Sequence, residues 1–516
     1  MTRLCRTKSK VAKWLIYIFA SIGCFIVYLA LRTLMYEGCR ERKSTTHKVL
    51  SRQGPIDVNY DKKYDFESEI QKTQIIQREK ETAGQVVERN GKKITRIFQD
   101  QSTNDMKTSK KLKRGPSVEL KVPSTSDFSW KTLSKDWKLF SSYVDKRSLK
   151  SRHGVFEKSL VTMGYERGLA TNELLCVVIW ENNTRSALKD IALRIMLSEQ
   201  WKVRLTSFRS YFYRCRLPVP DTPHYVTLIS KNSTISKQID TIPHTSFVPV
   251  VDPHSPNLYE FGVCVQTPLF GHAYKQIIVD SIEMNRLLGA QWFTVYVHDA
   301  HQVALEILKS YSDQGILEAV YNWGENIASP IYMKGVIVGI NDCLYRNMFK
   351  VRYLVFCDFD EVIVPVKQFL DWHDLISAIE YKNRAFFTFY HVAFHRNITL
   401  TEDIACPANA DKKYHVPQFL AARNRSVGVF PRGLQAKSVS KPSHCLYVHV
   451  HSPGELERGY RQFFVSPKMA LLEHFRNQDD PRYKKYNSTI DNSMERYKWA
   501  LLTAVKKIIC GKSKHD

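Results

Sequence analysis

The stretch Tyr353-Leu-Val-Phe-Cys-Asp-Phe-Asp-Glu-Val-Ile-Val-Pro365 is the most informative part of this sequence. An apolar run leads into three acids, Asp358, Asp360 and Glu361, and a second apolar run follows. The first run predicts a buried strand of a parallel sheet, and carboxylates buried at its end need a cation or hydrogen-bond donors. Open α/β sheets bind ligands at the carboxyl ends of their strands, so these acids predict a D-x-D site in which Mn²⁺ or Mg²⁺ holds a diphosphate. The alternative is a turn whose acids are capped by backbone amides.

The residues before the acids alternate between two kinds of pattern. Apolar runs that predict strands cover 261–268, 292–297, 316–321 and 353–356. Apolar residues at helical spacing lie between these runs, over 274–288, 303–311 and 333–347. Strands that alternate with helices in this way predict βαβ units and a parallel sheet.

The order of these elements separates two classes of enzyme. A phosphatase of the haloacid-dehalogenase type carries D-x-D on its first strand, where the first Asp is a nucleophile that forms an aspartyl-phosphate. Here about three βα units come first, and the later pair Asp479-Asp480 follows no apolar run. A nucleotide-sugar glycosyltransferase of the GT-A type requires this order, because its first βαβ units bind the nucleoside. The sequence therefore predicts an α/β fold with a GT-A-like, Rossmann-type domain.

The N-terminal region predicts a membrane anchor. Residues 14–31 form a run without a charged side chain that is long enough to cross a bilayer. Because basic residues are concentrated before this run, the positive-inside rule places residues 1–13 in the cytosol and the remainder on the lumenal side. A cleaved signal peptide is the alternative, but its apolar region is usually shorter and is followed by a small-x-small cleavage site.

Two further features agree with a lumenal body. Glycosylation sequons occur on the proposed lumenal side at Asn182, Asn232, Asn397, Asn424 and Asn487. Nine of the eleven cysteines also follow the apolar run, and an oxidising compartment permits disulfides. An odd count leaves at least one free thiol or an intermolecular bridge, and the spacing does not determine which cysteines pair.

Composition divides the chain into segments. Residues 32–150 are rich in Lys, Glu, Gln, Ser and Thr, which predicts a partly disordered stem. Short apolar runs predict a small β-rich extension over 151–254. The catalytic domain is expected over 255–480 and a C-terminal helical tail over 481–516. The net charge of +25 is spread along the chain without a nucleic-acid-binding motif, so it indicates anionic substrates or surfaces rather than nucleic acid.

Four motifs in the second half of the chain occur in a characteristic order. They are Asn341-Asp-Cys-Leu-Tyr-Arg346, Asp358-Phe-Asp-Glu361 with Pro365, Lys437-Ser-Val439 with Pro442, and Ala470-Leu-Leu-Glu-His-Phe-Arg476. Over about 255–480 the chain resembles glycosyltransferase family 92, and its general layout resembles nematode-type, type II Golgi members. The resemblance implies a GT-A-like fold, inversion at the anomeric carbon, and Mn²⁺-dependent transfer of galactose from UDP-galactose to a glycan acceptor. The chain departs from the family pattern at Lys441, where Arg is expected, and over 391–397.

The predicted site residues follow from this comparison. Asp358, Asp360 and Glu361 are the predicted catalytic acids. Asp360 is expected to bind the metal directly, Asp358 to contact ribose or metal through water, and Glu361 to orient Asp360. The third metal ligand is expected among His449, His451 and His474; His449 ranks first because it follows an apolar run, whereas His474 lies on a predicted helix. For each histidine, a hydrogen-bonded structural role is the alternative.

Further residues are predicted for the donor and the acceptor. Asp299 ends the second strand and is a candidate for nucleoside binding, with an ordinary turn Asp as the alternative. Lys437 is expected to contact the diphosphate as a point charge. The general base stays open among Glu473, Glu325 and Asp371. Four aromatic residues are candidates for sugar stacking, with core packing as the alternative: Trp323, Trp372, Tyr390 and Phe394. A catalytically silent scaffold remains the third functional hypothesis.

Overall fold

The computed structural model of the protein describes most of the chain after residue 122. The described ranges are 123–168, 172–197, 208–217, 220–232, 239–253, 257–271, 275–327, 331–396, 404–406, 409–477 and 487–511. The predicted cytosolic tail, the membrane anchor and most of the stem lie outside these ranges. Among the described residues, no helix has both the length and the apolar character needed to span a bilayer.

Eleven strands precede the predicted catalytic domain. They are β1 (Lys131–Ser134), β2 (Trp137–Asp145), β3 (Leu149–Ser151), β4 (Gly154–Phe156), β5 (Ser159–Arg167), β6 (Leu174–Ile179), β7 (Arg185–Ile191), β8 (Leu193–Met196), β9 (Phe208–Arg216), β10 (Tyr225–Ser230) and β11 (Val248–Val251). Nine of them form one sheet in the order β7-β6-β10-β11-β2-β5-β9-β8, with β1 paired to β2. We call it the N-terminal sheet. It begins at Lys131, within the range predicted as stem, because aromatic and apolar residues of β1 and β2 pair and pack there.

The N-terminal sheet curls back on itself. Strands β6 and β9 lie near opposite ends of the strand order, yet the Cys176–Cys215 disulfide joins them with their Cα atoms 6.4 Å apart. Strands β5 and β9 are buried along nearly their whole length. A strand that is covered on both faces carries apolar residues without strict alternation, as these two do.

The elements predicted before the acids are present. They are β12 (Tyr259–Val265), α1 (Lys275–Leu287), β13 (Ala290–Tyr296), α2 (Gln302–Asp313), β14 (Leu317–Val320), α3 (Val336–Asn347) and β15 (Val351–Cys357). The four strands pair in parallel in the order β14-β13-β12-β15. The carboxyl ends of β12, β13 and β15 therefore meet at one edge of the sheet, which we call the carboxyl edge.

The rest of the chain adds strands to this sheet and builds a second one. Its elements are β16 (Glu361–Pro365), α4 (Trp372–Ile379), β17 (Arg384–Phe389), β18 (His391–Arg396), β19 (Ile404–Cys406), β20 (Asn409–Tyr414), α5 (Gln418–Ala421), β21 (Asn424–Ser426), β22 (Lys437–Ser440), β23 (Cys445–Val448), β24 (Pro453–Leu456), β25 (Arg461–Val465), β26 (Ala470–Asn477), β27 (Ser488–Ile490) and α6 (Lys498–Cys510).

The central sheet is mixed rather than purely parallel. It has seven strands in the order β14-β13-β12-β15-β22-β17-β25, and β22 runs antiparallel to both of its neighbours. Strands β15, β17 and β25 are consequently parallel to one another and end at the carboxyl edge. A second sheet of five strands has the order β16-β26-β18-β21-β27.

Strand β26 corrects one expectation. The stretch 470–476 was expected to be helical, since Ala, Leu and Glu favour helices, but it forms a strand. It pairs with β16 on one side and β18 on the other. Cross-strand pairing on both sides outweighs the local helix propensity, as strand context commonly does.

The C-terminal segment is attached to the rest of the fold by strand pairing and a disulfide. Strand β27 pairs with β21, so the range predicted as a helical tail also contributes a strand to the second sheet. Helix α6 ends at Cys510, which forms a disulfide with Cys406. A third disulfide joins Cys264 of β12 to Cys343 of α3. Among the described cysteines, Cys357 and Cys445 are free and buried.

Helix α3 joins the N-terminal sheet to the central sheet. All of its residues are buried. The Asp342 carboxylate accepts hydrogen bonds from Tyr143 on β2 at 2.8 Å and from Tyr296 on β13 at 2.6 Å. One helical turn later Arg346 pairs with Asp342 and with Glu318 of β14. A buried charge needs such partners, so the helix fixes the two sheets to each other through this network.

We predict that Arg346→Leu destabilises the folded protein by about 3–5 kcal/mol, because it leaves the Asp342 carboxylate buried without its cation. Urea unfolding followed by fluorescence measures this change. The control is Lys309→Ala, which removes an ion pair between exposed side chains of α2 and should leave the stability nearly unchanged. Equal stability of both variants would contradict the role of this network.

Candidate active site

The three acids lie where the central sheet passes into the second sheet. Asp358 follows β15 directly, and Glu361 begins β16. The turn between them is closed by its own groups: the Glu361 backbone N–H donates to the Asp358 carbonyl at 3.1 Å, and the Asp358 N–H donates to Glu361 Oε2 at 2.9 Å. The Asp360 carbonyl accepts from the Phe475 N–H of β26 at 2.8 Å. The turn is thus anchored to both sheets.

A buried lysine meets two of the acids. Lys437 is the first residue of β22, and its side chain is 2% exposed. Its Nζ lies 2.8 Å from Asp358 Oδ2 and 3.1 Å from Glu361 Oε2, and it also donates to Gln266 at the end of β12. Burial lowers the pKa of Lys437, but the Asp358 and Glu361 carboxylates outweigh burial and hold that pKa above its ordinary value. Lys437 is therefore a fixed positive charge at the carboxyl edge.

Both carboxylate oxygens of Asp358 are engaged by the protein. Its Oδ1 accepts from the Thr267 backbone N–H at 2.8 Å, and its Oδ2 accepts from Lys437. Burial raises the pKa of Asp358, yet Lys437 and Thr267 together hold it well below its usual range. Asp358 thus connects the ends of β12, β15 and β22.

Asp360 has a different environment. Its Oδ2 lies 3.6 Å from His474 Nε2 and 3.6 Å from an Arg476 guanidinium nitrogen. The Asp360 side chain is 24% exposed, whereas that of Glu361 is 2% exposed. Burial raises the pKa of Asp360, but His474 and Arg476 lower it below its ordinary value. Asp360 is therefore an ionised carboxylate whose ion-pair partners lie 3.6 Å away, farther than the 2.8 Å between Asp358 and Lys437.

The second sheet supplies the histidines. His474 pairs in register with Glu361 across β16 and β26, and its Nδ1 lies 3.5 Å from Glu361 Oε1. The ring of His391, at the start of β18, lies 5.1 Å from the ring of His474 and 4.5 Å from that of Phe430. Burial, followed by the charges of His474, Arg476 and Lys437, lowers the pKa of His391 to about 2. His391 is therefore an uncharged side chain that lines the site beside His474.

Three further predicted residues lie outside the turn that carries the acids. Asp299 follows β13 and is exposed, and its backbone N–H donates to the Leu269 carbonyl at 3.1 Å. The ring of His449 packs edge-on against Tyr447, with centroids 5.5 Å apart. His451 Nδ1 lies 3.0 Å from the Ala436 carbonyl oxygen, next to Lys437. The structure therefore gathers Asp358, Asp360, Glu361, Lys437 and His474 in one cluster. Asp299 follows a strand two positions away from β15 in the central sheet, and His449 follows β23, which pairs with β24 outside that sheet.

The donor atoms of the site suit a divalent cation, but the protein would supply only some of its ligands. Within the described ranges, no group of three His, Cys, Asp or Glu side chains is placed to hold a metal ion. Asp360 Oδ2 nevertheless offers a carboxylate oxygen, the ligand type that Mn²⁺ and Mg²⁺ favour, and His474 Nε2 lies 3.6 Å from it as a nitrogen donor. Mg²⁺ sites commonly combine one or two carboxylates with the phosphates of a substrate. The pair fits an ion completed by a diphosphate.

Comparison with known proteins identifies the family to which this region is similar. Residues 259–507 match the model of glycosyltransferase family 92. The chain contains a family 92 domain. The chain is also similar to Beta-1,4-galactosyltransferase galt-1 of Caenorhabditis elegans, with 25% identity over 186 residues. This match covers 35% of the present chain and 43% of that protein, so the aligned region spans less than half of the relative.

The family 92 domain coincides with the central and second sheets. It begins at the first residue of β12 and includes the whole cluster around Lys437. The resemblance stated from the four motifs is thus confirmed, and so is the mixed α/β fold of the domain. The N-terminal sheet precedes the matched range, although helix α3 of the domain packs against it.

Three residues of the site were not predicted from the sequence patterns. Arg476 is part of the motif 470–476, but only its approach to Asp360 gives it a role. Gln266 ends a predicted strand, and this position at the carboxyl edge is a usable signal. His391 has no comparable signal, since its place depends on the parallel pairing of β18 with β26.

The candidates for general base lie away from the cluster. Asp371 caps helix α4 by accepting from the Asp374 N–H at 3.0 Å, and Glu325 is exposed. Glu473 lies on the opposite face of β26 from His474 and accepts from Ser493 Oγ at 2.9 Å. Among the sugar-stacking candidates, Tyr390 is half-buried. The other three belong to the core: Trp323, Trp372 and Phe394.

We predict that Glu473 makes the stability of the protein pH-dependent. Burial, with a smaller contribution from Asp491, raises the pKa of Glu473 from 4.5 to about 8. Between these pH values the folded state binds more protons than the unfolded state, so stability decreases as the pH rises. Glu473→Gln keeps the hydrogen bond from Ser493 without ionising, and its stability should exceed that of the parent protein at pH 8.

Urea unfolding at both ends of that pH range measures the effect. The matched control is Glu306→Gln on the exposed face of α2, which should retain the parent pH profile. An unchanged pH profile in Glu473→Gln would contradict the raised pKa.

Proposed function

We propose that the family 92 domain transfers a hexose from a nucleotide-sugar donor to a glycan acceptor. The observation that carries this proposal is the cluster at the carboxyl edge, where a buried Lys437 pairs with Asp358 and Glu361 and the same turn presents a partly exposed Asp360. A fixed cation and an ionised carboxylate suit a diphosphate that binds together with a metal ion. The family match and the name of the nematode relative support glycosyl transfer.

The donor diphosphate would bind Arg476 directly, and the buried Lys437 would act on it through its charge. Both side chains are cationic, and Arg476, at 35% exposure, offers a guanidinium fork for phosphate oxygens. Asp360 and His474 would hold Mn²⁺ or Mg²⁺, and the metal would neutralise the departing diphosphate. Asp358 and Glu361 would act indirectly, because their contacts fix Lys437 and the turn.

The nucleoside would lie toward Asp299. This carboxylate follows β13, two strands from β15 in the central sheet, which corresponds to about 10 Å at the usual strand spacing. That separation is of the order of a nucleoside diphosphate. We propose UDP-galactose as the donor, with inversion at the anomeric carbon, because of the family resemblance and the name of the nematode relative.

The protein would act in the lumen of the secretory pathway. Three disulfides among the described residues suit an oxidising compartment. The asparagines of the four described sequons, Asn182, Asn232, Asn424 and Asn487, are exposed, as glycosylation requires. Together with the apolar run at 14–31, these features support a type II membrane protein of the Golgi.

The phosphatase hypothesis loses support from the surroundings of Asp358. A nucleophilic aspartate must present a carboxylate oxygen to phosphorus. Both oxygens of Asp358 are instead bonded, one to the Thr267 amide and the other to Lys437. An assay of UDP release distinguishes a silent scaffold from an active transferase.

We predict Mn²⁺-dependent release of UDP from UDP-galactose by the full chain expressed in a eukaryotic secretory host. Chelator should abolish the release, and Asp360→Ala should lower kcat by about a thousandfold or more while the protein still folds and is secreted. A coupled assay for UDP, run with each common UDP-sugar, makes the measurement.

The control is Asp313→Ala, which removes an exposed carboxylate of α2 and should keep the parent kcat. Full activity of Asp360→Ala would contradict the metal assignment. Failure of every UDP-sugar, with and without glycan acceptors, would favour a silent scaffold.

A further inference from the structure

A half-buried aromatic pair lies at the carboxyl edge, on the other side of β15 from Asp299. Tyr390 follows β17 directly, and Phe464 is the penultimate residue of β25. Their ring centroids are 6.3 Å apart at an angle of 60°. Because β15, β17 and β25 are parallel, this pair and the acids lie at the same edge of the central sheet.

The register places the pair at the same edge of the sheet as the reacting groups. Phe389 pairs with Lys437 across β17 and β22, so Tyr390 immediately follows the residue opposite the buried lysine. Two strand spacings separate β15 from β17, or about 10 Å. One or two sugar rings span that distance. The Tyr390 carbonyl also accepts from the Leu472 N–H at 2.8 Å, two residues before His474.

One loop contacts both this aromatic pair and His391. Within residues 427–435, Phe430 packs its ring 4.5 Å from that of His391. Two residues later the Arg432 guanidinium lies 3.8 Å from the centroid of Phe464. Arg432 is exposed, so its N–H groups face solvent beside the aromatic rings. The same loop thus contacts His391 and brings a cation to the aromatic pair.

The chemistry of these three side chains suits a saccharide. The apolar C–H face of a pyranose packs against an aromatic ring, while its hydroxyl groups accept hydrogen bonds at the rim. Arg432 offers several N–H donors in a rigid fork and is already positioned by stacking. Aromatic surface with a few convergent polar groups is the usual composition of a ligand site.

We infer that Tyr390, Phe464 and Arg432 form the subsite that binds the acceptor saccharide. This inference rests on the proposed transferase function. The donor nucleotide lies toward Asp299, the acceptor ring lies against Tyr390 and Phe464, and the transferred sugar is positioned between them near Asp360. The acceptor is therefore recognised by the second half of the domain, after the D-x-D motif, and the donor mainly by the first half.

The neighbouring residue Phe463 provides a matched control. It belongs to the same strand and is also partly buried, but it packs on the opposite face of the sheet, 3.7 Å from the Arg384 guanidinium and 6.5 Å from the Phe387 ring. Phe463→Leu and Phe464→Leu thus remove the same ring from adjacent positions. Only the second change alters the proposed subsite.

The experiment compares Phe464→Leu, Tyr390→Leu and Arg432→Gln with Phe463→Leu in the full chain. Initial rates are measured with UDP-galactose and a panel of methyl glycosides of the common hexoses and N-acetylhexosamines. UDP release without acceptor is measured in parallel. We expect the three subsite variants to raise the acceptor KM about tenfold, the loss expected for an aromatic or stacked guanidinium contact. Their acceptor-free UDP release and donor KM should match the parent, and Phe463→Leu should match it in every parameter.

Two outcomes would overturn the inference. One is an acceptor KM within twofold of the parent in all three subsite variants. The other is a parallel rise of donor KM and acceptor KM, which would assign the residues to the donor. Binding of the full chain to an array of immobilised oligosaccharides gives a readout that does not require transfer. Loss of saccharide binding in Phe464→Leu but not in Phe463→Leu supports the subsite even if no UDP-sugar is used, whereas equal binding by both variants overturns it.

Discussion

A buried ammonium group keeps its charge only where carboxylates meet it, and this requirement governs how the strands around Lys437 come together. Asp358 supplies one partner from the end of β15, and Glu361 supplies the other from the start of β16. Gln266 and Thr267 add contacts from the end of β12. The ion pairs therefore connect three neighbouring strands of the central sheet and fix the turn that leads into the second sheet. The same contacts leave Asp360 at the surface of the site.

The site depends equally on how the second sheet is assembled. Strand β26 lies between β16 and β18, which brings His474 opposite Glu361 and places His391 beside it. Strand β27 and helix α6, both from the end of the chain, complete this region through pairing with β21 and the Cys406–Cys510 disulfide. Segments far apart in sequence thus build one wall of the site.

Helix α3 links this domain to what precedes it. A helix buried on all sides must satisfy every polar side chain internally. Asp342 does so with tyrosines from two different sheets. Arg147, in the connection that follows β2, donates to carbonyl groups at 442, 443 and 445, shortly after Lys437. The N-terminal sheet is consequently a structural partner of the family 92 domain, although the family match begins after it.

The sequence by itself determined the alternation of strands and helices over 259–357, because apolar periodicity is a local property that records which faces are buried. It also determined that acids follow a buried strand, and hence the edge at which Asp358 and Asp360 lie. Only the tertiary structure decided that β22 inserts antiparallel into the central sheet, since the direction of a strand depends on the connections around it. The tertiary structure also placed 470–477 in a strand, where pairing on both sides outweighs helix propensity. His391, Arg476 and the pair Tyr390–Phe464 gain their positions from that assembly, because residues distant in the chain become neighbours only when the sheets close.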